Sequence, residues 1–460
     1  MTRPIEVVVV GGGASGALVA ARILDATHAQ PARVTVVEST GTPGMGIAYG
    51  TDDPDHSLNV RVSGMSADPS RPGEFTQWGA RHDLSDPTAF VPRHRYRAYL
   101  ADHLSTAADS ADDGALDVVA ERAIGMSGAT GGSASCEVQL ASGRALRADA
   151  VVVATGNAAP GTPGPLHALA GHRAWIADPW VGGALQRLEH AHSIVMIGTG
   201  LTAVDVILTA ARTTDAEMFA LSRHGLFPAA HVADLPLREI DVAELFACAD
   251  TLGALTRGLV ARTREPDEGF DWRDVIDSVR PVVNAYWTRL DDDERRRFVT
   301  RLARFWDVHR HRMPPRSAVA LDSLRASGRL TTRAARIVGA DAGSSPGAVT
   351  LDLLVDGRVE QVTADAVVNC TGPRPAWRPG ANPFVADLVA RGLAVVHPTG
   401  LGLATSPVGQ LVDHTGRPTS NAFVIGPPRR GALWESTAVP EIRSQALHIA
   451  DRVTIGGHTV

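Results

Sequence analysis

The chain has 460 residues, 44% of them hydrophobic, and a formal net charge of −6. This length is more than one hydrophobic core normally organises, so we expect two or three domains. The small negative charge argues against nucleic acid or an anionic membrane as the main partner, and no apolar run approaches the ~20 residues of a membrane span. The N-terminus leads into a strand without a signal-peptide pattern, which predicts a cytoplasmic protein.

The reactive side chains exclude several kinds of catalysis. All 44 basic residues are Arg, so no lysine is present for a Schiff base, a P-loop or acid–base chemistry. The three cysteines, Cys136, Cys248 and Cys370, are too far apart for a local redox dithiol or a zinc motif. We therefore predict three reduced thiols and no metal site.

A glycine-rich dinucleotide motif stands at the N-terminus in its full context. The apolar run 5–10 precedes the sequence GGGASG at 11–16, and residues 17–24 have the pattern of a helix whose N-terminus would face a pyrophosphate. A second strand at 33–37 ends at Glu38, where an acid binds ribose hydroxyls and repels a 2′-phosphate. The first site is thus predicted to bind FAD or NAD rather than NADP.

A second copy of the motif differs where the nucleotide is selected. Residues 193–197 precede the sequence GTGLTA at 198–203, in which Ala203 replaces the third glycine. Its second strand ends at Leu221, and no acid follows. Ser222, Arg223 and His224 stand there instead, and these polar groups suit a 2′-phosphate, so NADPH is favoured over NADH. The alternative is that Arg223 is a solvated loop charge.

Each motif has a matching returning strand, ADAVVVATG at 148–156 and ADAVVNCTG at 364–372, and a hairpin pattern precedes each. These features predict an α/β fold with two Rossmann-like dinucleotide-binding domains, each with a β-meander. The NADPH domain is inserted into the FAD domain, and a helical insertion is added to it. The expected boundaries are 1–160 for the first part of the FAD-binding domain, 161–372 for the NADPH-binding domain with the insertion at about 230–324, and 373–460 for the second part of the FAD-binding domain.

The helical insertion, inferred from the spacing of its aromatic residues, ends in a basic run with the sequence HRHR at 309–312. Arg429 and Arg430 follow the strand predicted at 423–426. Residues 434–436 are expected to line one cavity together with these two arginines. Guanidinium groups bind carboxylates well. The candidate substrate ligands are His309, Arg310, Arg312 and Arg430. The alternative is an exposed basic helix end stabilised by the helix dipole.

Two such domains with ATG and CTG closing strands resemble the two-dinucleotide-binding-domain flavoproteins, which include flavin-containing monooxygenases, N-hydroxylating monooxygenases and pyridine-nucleotide reductases. A closer resemblance is to a bacterial group of FAD/NAD(P)-binding proteins that includes nitrosuccinate-forming L-aspartate N-monooxygenases. The motifs that carry it are 46–51, 58–60, 90–93, 198–205, 306–315 and 431–441. The monooxygenase fingerprint F-x-G-x-x-x-H-x-x-x-W is not present, and Pro427 stands after Gly426 where the reductases have Asp.

The resemblance implies specific cofactor contacts. Asn59 takes the position of an Asn that flavin-containing monooxygenases keep beside the flavin ring, which makes it the catalytic candidate; the alternative is an Asn that bonds to loop backbone. The matching FAD-binding positions are Gly11, Gly13, Ala14, Ser15, Gly16, Glu38, Asn59, Thr155, Gly156 and Gly426. The matching NADPH-binding positions are Gly198, Thr199, Gly200, Leu201, Thr202 and Ala203, with Ser222, Arg223 and His224 after the second strand.

We therefore expect an FAD-dependent, NADPH-consuming oxidoreductase. In the favoured hypothesis it is a single-component monooxygenase that uses O2 and a C4a-(hydro)peroxyflavin to hydroxylate a nitrogen, or a sulfur, of a small carboxylate-bearing substrate. One alternative is an NADPH-dependent flavoprotein reductase that passes electrons to a quinone or a partner protein. Another is a non-catalytic, flavin-bound redox sensor. The sequence does not assign an oligomeric state.

Overall fold

The structure is a computed structural model that describes residues 3–26, 31–111, 114–128, 135–232, 238–264, 271–342 and 347–455. Its strands in chain order are β1 (Ile5–Val10), β2 (Ala32–Val37), β3 (Leu116–Val119), β4 (Ala123–Ser127), β5 (Cys136–Leu140), β6 (Ala145–Ala148), β7 (Ala150–Val153), β8 (Trp175–Ile176), β9 (Ser193–Ile197), β10 (Glu217–Ser222), β11 (Leu330–Ala334), β12 (Arg336–Asp341), β13 (Val349–Val355), β14 (Arg358–Ala364), β15 (Ala366–Asn369), β16 (Gln410–Val412) and β17 (Pro418–Val424).

The α-helices lie between and after these strands. In chain order they are α1 (Ala14–Asp25), α2 (Gly46–Tyr49), α3 (Glu74–Ala80), α4 (Arg93–Ser110), α5 (Leu201–Thr213), α6 (Ala243–Cys248), α7 (Leu252–Arg262), α8 (Trp272–Arg289), α9 (Asp292–Arg297), α10 (Ala303–Arg310), α11 (Pro315–Ala326), α12 (Pro383–Ala390) and α13 (Val439–Ile455). A π-helical turn, Phe298–Leu302, joins α9 to α10. Among the described helices, none is both long and apolar enough to cross a bilayer.

The first sheet has the order β16-β17-β7-β1-β2-β3, and all of its pairs are parallel except that of β16 with β17. Its strands are rich in buried β-branched residues because both of its faces are covered. Helices α1, α4 and α13 pack together on one face, and α12 with the three-stranded meander β4–β6 packs on the other. This arrangement puts the C-terminal ends of β1, β2 and β7 at one edge, where the first glycine-rich turn lies.

The second sheet is entirely parallel, with the order β11-β10-β9-β15-β8. Helices α5 and α11 cover one face, and the meander β12–β14 covers the other. All of its strands come between β7 and β16 of the first sheet in the chain. The predicted fold class, two Rossmann-like parallel sheets with β-meanders, is confirmed, and each predicted hairpin belongs to a three-stranded meander.

Helices α6–α10 and most of α11 lie within the insertion predicted at about 230–324, but α11 packs on the second sheet. The apolar side chains of the insertion, among them Val275, Val279 and Trp287, are buried in a cluster that also contains Trp434 from the C-terminal part of the chain. The indole N–H of Trp287 donates to the Gly431 carbonyl at 2.8 Å, and the rings of Trp287 and Trp434 lie 5.2 Å apart. The aromatic stripe is therefore core, and it fixes the insertion against the segment that follows β17.

Candidate active site

The two glycine-rich turns have the same backbone requirement. Gly11 and Gly198 adopt φ angles of +103° and +107°, which only glycine adopts readily. A Cβ atom on either would overlap a backbone carbonyl oxygen, that of Ala154 for Gly11 and that of Cys370 for Gly198. These carbonyls directly follow the closing strands β7 and β15. This contact explains why the closing motif is repeated. In each unit, the carbonyl that follows the closing strand packs against the first glycine of the glycine-rich turn.

The helices after the turns leave their first N–H groups available. Gly13 is the residue before α1 and Gly200 the residue before α5, and neither helix has a side-chain cap. Uncapped N–H groups at a helix N-terminus bind phosphate groups well. Gly16 lies in α1 where a Cβ would overlap the Gly11 carbonyl oxygen, which explains the third glycine of the first motif.

Glu38 stands at the end of β2, as the sequence predicts. Its Oε2 atom accepts the Gly12 N–H at 2.8 Å, and its Oε1 atom accepts the Thr40 N–H at 3.3 Å. The carboxylate therefore lies beside the first turn and borders the cleft described next. This is the position from which an acid reaches ribose hydroxyls.

A cavity of about 620 Å³ runs along the first turn and reaches the second. Thr202, in the first turn of α5, lines it together with Gly372 after β15, and so do Thr437, just before α13, and Ile442, in the first turn of α13. Thr155 carries a buried hydroxyl with no hydrogen-bond partner in the described structure. The predicted FAD ligands that line the cavity are Gly11, Gly13, Ala14, Ser15, Glu38, Thr155 and Gly156.

The size and donor groups of this cavity suit a dinucleotide. The free N–H groups at the start of α1 can donate to a pyrophosphate, and Glu38 can accept from ribose hydroxyls. The unpartnered Thr155 hydroxyl can bond to a further polar group of the ligand. Gly426 packs directly behind Ser15 with a φ of +76°, and its N–H donates to Gln445 Oε1 at 3.0 Å. FAD therefore fits the residues present.

The second site has the predicted polar residues at the end of β10. Ser222 accepts hydrogen bonds from Thr199 Oγ1 at 2.8 Å and from the Gly225 N–H at 3.0 Å. Arg223 and His224 are exposed. The ring of His224 lies 5.5 Å from that of Phe305 in α10, so the helical insertion reaches this site.

Asn59 lies at the contact between the first unit and the segment after β10. Its backbone carbonyl accepts Nε2–H of His231 at 3.0 Å, so this contact does not use the side-chain amide. Burial, with Arg312, Arg61 and Arg273 nearby, lowers the pKa of His231 to about 3. The imidazole is consequently neutral near pH 7 and can donate only one N–H.

The basic run 309–312 separates into different environments. His309 is exposed, and Nδ1–H donates to the Phe305 carbonyl at 2.7 Å. Arg310 is buried and pairs with Glu435 at 3.1 Å, and Arg312 is buried and pairs with Asp277 at 2.6 Å. An exposed basic helix end therefore describes His309 but not the two arginines.

Arg430 lies on the other side of Asp307 from that run: Asp307 pairs with Arg430 at 3.6 Å and with His311 at 3.7 Å. Its guanidinium lies over the ring of Trp434 at 4.5 Å, and it borders a smaller cavity of about 120 Å³ next to the first cleft. Its neighbour Arg429 is buried and donates to the Pro407 carbonyl at 3.1 Å. The structure thus does not bring all four candidate substrate ligands together.

Several buried polar atoms near Arg310 and Arg312 have no partner in the described structure. They are Nε of Arg310, Nε and Nη1 of Arg312, Oε1 of Glu435 and Oγ of Ser436. Leaving a buried donor or acceptor unpaired costs about 1–3 kcal/mol, so a group of such atoms marks a place for a polar ligand. Each of the two arginines already has a carboxylate partner, and the unpartnered atoms include an acceptor, Oε1 of Glu435, as well as arginine donors.

The comparisons with known proteins agree with this geometry. Residues 8–158 match the protein-family model described as FAD-NAD(P)-binding. This match confirms the predicted type of cofactor, FAD together with a nicotinamide dinucleotide. No curated protein matches the sequence significantly.

Solved structures with the same fold include N-hydroxylating enzymes. Ornithine hydroxylase from Pseudomonas aeruginosa has a TM-score of 0.64 and 16% identity, covering 98% of this chain and 99% of that one. Ornithine N-hydroxylase from Kutzneria sp. 744 has a TM-score of 0.65 and 12% identity over 98% and 99% of the two chains. L-lysine 6-monooxygenase from Pseudomonas syringae has a TM-score of 0.64 and 16% identity over 99% and 100%. At these identities the likeness shows a common fold.

The structure also contains site residues that the sequence analysis did not single out. Arg93 lines the first cleft and pairs with Asp205 of α5. Arg304 of α10 reaches the second glycine-rich turn. Arg93 and Asp205 belong to two of the motifs that carry the family resemblance. Those motifs could have identified both residues from the sequence. Nothing local in the sequence marks Arg304.

Proposed function

We propose that this protein is a single-component FAD- and NADPH-dependent monooxygenase that hydroxylates a nitrogen, or a sulfur, of a small carboxylate-bearing substrate. The observation that carries the proposal is the single cleft lined by Gly13 and Ala14 of the first turn and by Thr202 beside the second. Two dinucleotides held at these turns would meet in one cavity. The shared fold with ornithine and lysine monooxygenases supports the same reaction class.

We further propose a division of labour between the two sites. Residues 1–160 and 373–460 form the FAD-binding domain, and residues 161–372 form the NADPH-binding domain. Glu38 would bind ribose hydroxyls of FAD, whereas Ser222 and Arg223 would bind the 2′-phosphate of NADPH. The N-terminus of α13, with Thr437 and Ile442 on the cleft, would face the flavin.

When bound, FAD supplies the two-electron reduction and oxygen activation that no side chain provides. The overall reaction consumes NADPH, a proton, O2 and the substrate. One oxygen atom enters the substrate as a hydroxyl group, the other leaves as water, and NADPH is oxidised to NADP⁺. The chain's own residues bind and orient the reactants, and Asn59 is the proposed polar contact beside the flavin.

Arg310, Arg312 and Ser436 are the proposed substrate ligands; the two arginines approach from different sides, because Arg310 pairs with Glu435 and Arg312 with Asp277. The unpartnered N–H groups of the two arginines provide for a carboxylate, and the Ser436 hydroxyl offers a further polar contact. His231 stays neutral, so it adds a directional donor at Asn59 without adding charge. The unpartnered arginine N–H groups are the feature that would favour an anionic substrate.

The test is NADPH consumption across a panel of small amines, amino acids and thioethers, with the product mass measured. We expect at least one carboxylate-bearing compound to gain 16 mass units with nearly one product formed per NADPH consumed. NADPH oxidation that is accelerated by a quinone, with no hydroxylated product from any compound, would instead support a reductase. An Arg223→Ala variant should raise KM for NADPH and leave KM for NADH unchanged, and Arg257→Ala, an exposed arginine on α7, is the control.

A further inference from the structure

Arg304 connects the helical insertion to the second glycine-rich turn. Its Nη2 atom lies 3.0 Å from Thr199 Oγ1 and 3.2 Å from the Thr199 carbonyl oxygen, and it also donates to the Leu226 carbonyl. Thr199 is the middle residue of the motif's G-T-G. The insertion therefore supplies a guanidinium to a nucleotide site that is otherwise built from β9, α5 and β10.

Among the residues that the structure describes, no carboxylate lies at hydrogen-bond distance from Arg304. Its bonded partners are neutral oxygens, and the nearby charges that act on it are those of Arg223 and Asp307. Burial and Arg223 lower the pKa of Arg304, whereas Asp307 opposes them. A half-buried guanidinium next to a second one is costly unless an anion binds between them.

The position of Arg304 matches that of a nucleotide's 2′ substituent. Thr199 Oγ1, which accepts from Arg304, is itself 2.8 Å from Ser222 Oγ at the end of β10. In dinucleotide-binding folds the residue at the end of the second strand contacts the ribose 2′ position. A 2′-phosphate bound at the end of β10 would thus lie among Arg304, Ser222 and Arg223.

The next residue along α10 adds an aromatic surface at the same place. Phe305 is 47% exposed, and its ring lies 5.5 Å from the exposed ring of His224. A large exposed aromatic side chain is costly in water unless it has a partner, and aromatic rings bind nucleobases by stacking. Because His224 directly follows Arg223 in the chain, the pair of rings lies close to the residues that end β10.

We propose that α10 of the helical insertion completes the NADPH site, with Arg304 binding the 2′-phosphate together with Ser222 and Arg223, and with Phe305 and His224 stacking on the adenine. The inference rests on the proposed function in so far as NADPH binds at the second turn. The inference goes beyond the proposed function because it assigns part of the cofactor specificity to a segment outside the Rossmann-like sheet.

The experiment measures equilibrium binding of 2′,5′-ADP and 5′-ADP to the FAD-loaded protein by calorimetry. The two probes differ in the phosphate that Arg304 is proposed to bind. For Arg304→Ala we expect the Kd of 2′,5′-ADP to rise at least tenfold and the Kd of 5′-ADP to change less than twofold. For Phe305→Ala we expect both Kd values to rise by a similar factor. Arg301→Ala, an exposed arginine one turn earlier, should change neither.

Equal weakening of both probes by Arg304→Ala, or no weakening, would overturn the role of Arg304 in phosphate binding. Arg304→Gln keeps a side-chain donor for Thr199 but removes the charge, so it provides the same comparison if the alanine variant fails to fold. We expect it to lose selectivity for 2′,5′-ADP as well. A wild-type protein that does not prefer 2′,5′-ADP over 5′-ADP would instead overturn the NADPH site itself, and this result does not depend on turnover.

Discussion

Arg93 and Asp205 form a buried ion pair that joins the two nucleotide-binding units, with Nη2 of Arg93 2.7 Å from Oδ2 of Asp205. Arg93 begins α4 and lines the first cleft, and Asp205 lies on α5 just after the second turn. Burial outweighs the attraction of Arg93 and His56 and raises the pKa of Asp205. Each of the two side chains therefore needs its partner to remain charged at this buried position.

Removing one partner of this pair should destabilise the protein strongly. Asp205→Asn leaves the guanidinium of Arg93, which is only 15% exposed, without its counter-charge, and breaking a buried pair costs about 3–5 kcal/mol. We expect a loss of that size in the free energy of unfolding, measured by denaturant titration. Asp52→Asn is the control, because its 80%-exposed carboxylate pairs with Arg97 and such pairs contribute less than about 1 kcal/mol. Equal losses in the two variants would refute a special role for the buried pair.

The third glycine of the first motif should be essential for FAD binding. In Gly16→Ala the new Cβ would overlap the Gly11 carbonyl oxygen, so α1 must move away from the turn whose N–H groups face the cleft. We expect purified Gly16→Ala to contain little FAD, measured as flavin absorbance per protein. Gly164→Ala, where a Cβ meets no atom within 4 Å, should keep the wild-type flavin content. A fully loaded Gly16→Ala protein would contradict this account of the turn.

The parts of the site that the sequence predicted are those whose causes are local. The strand predicted at 193–197 is β9, with the same bounds, because an apolar run is followed directly by a glycine that must turn. The closing strands were recognisable because each follows a hairpin pattern and is followed, three residues after its end, by a glycine, Gly156 or Gly372, which adopts a positive φ. Glu38 and Ser222 were found by counting to the end of the second strand in each unit.

The parts that the sequence could not predict depend on contacts between distant segments. Arg304 and Thr199 are 105 residues apart, and Arg310 and Glu435 are 125 apart. The basic run 309–312 suggested one ligand group. However, α10 ends at Arg310, and the backbone turns at His311, so Arg312 points to a different carboxylate. Helix bounds alone could not show this without the position of Asp277.

Arg312 should be required for binding a carboxylate substrate. Arg312→Gln removes two unpartnered N–H donors and the charge, and a hydrogen bond to a charged group contributes about 1.5–3 kcal/mol. We expect KM for the carboxylate substrate identified in the panel to rise roughly 10- to 150-fold, with a smaller change in kcat. Arg325→Ala, which breaks a pair on the outer face of α11, should leave KM unchanged. An unaltered KM in Arg312→Gln would place the carboxylate elsewhere.

His231 should make the protein sensitive to acid. Its pKa is about 3 in the folded protein and near 6.5 when unfolded, because burial and the charges of Arg312, Arg61 and Arg273 disfavour the imidazolium. The unfolded state therefore binds the proton first as the pH falls below about 6.5. The contribution of the neutral ring is complete above that pH and is lost by up to about 1.4 kcal/mol for each unit below it.

His231→Gln tests this pH dependence, because the glutamine amide can still donate to the Asn59 carbonyl but does not titrate. We expect the free energy of unfolding of the variant to fall less steeply between pH 6 and pH 4 than that of the wild type, by up to about 1.4 kcal/mol per unit. His190→Gln, on the exposed surface, should keep the wild-type slope. A His231→Gln slope equal to that of the wild type would mean that the imidazole does not stay neutral in the folded protein, and that an additional positive charge is tolerated among the arginines beside Asn59.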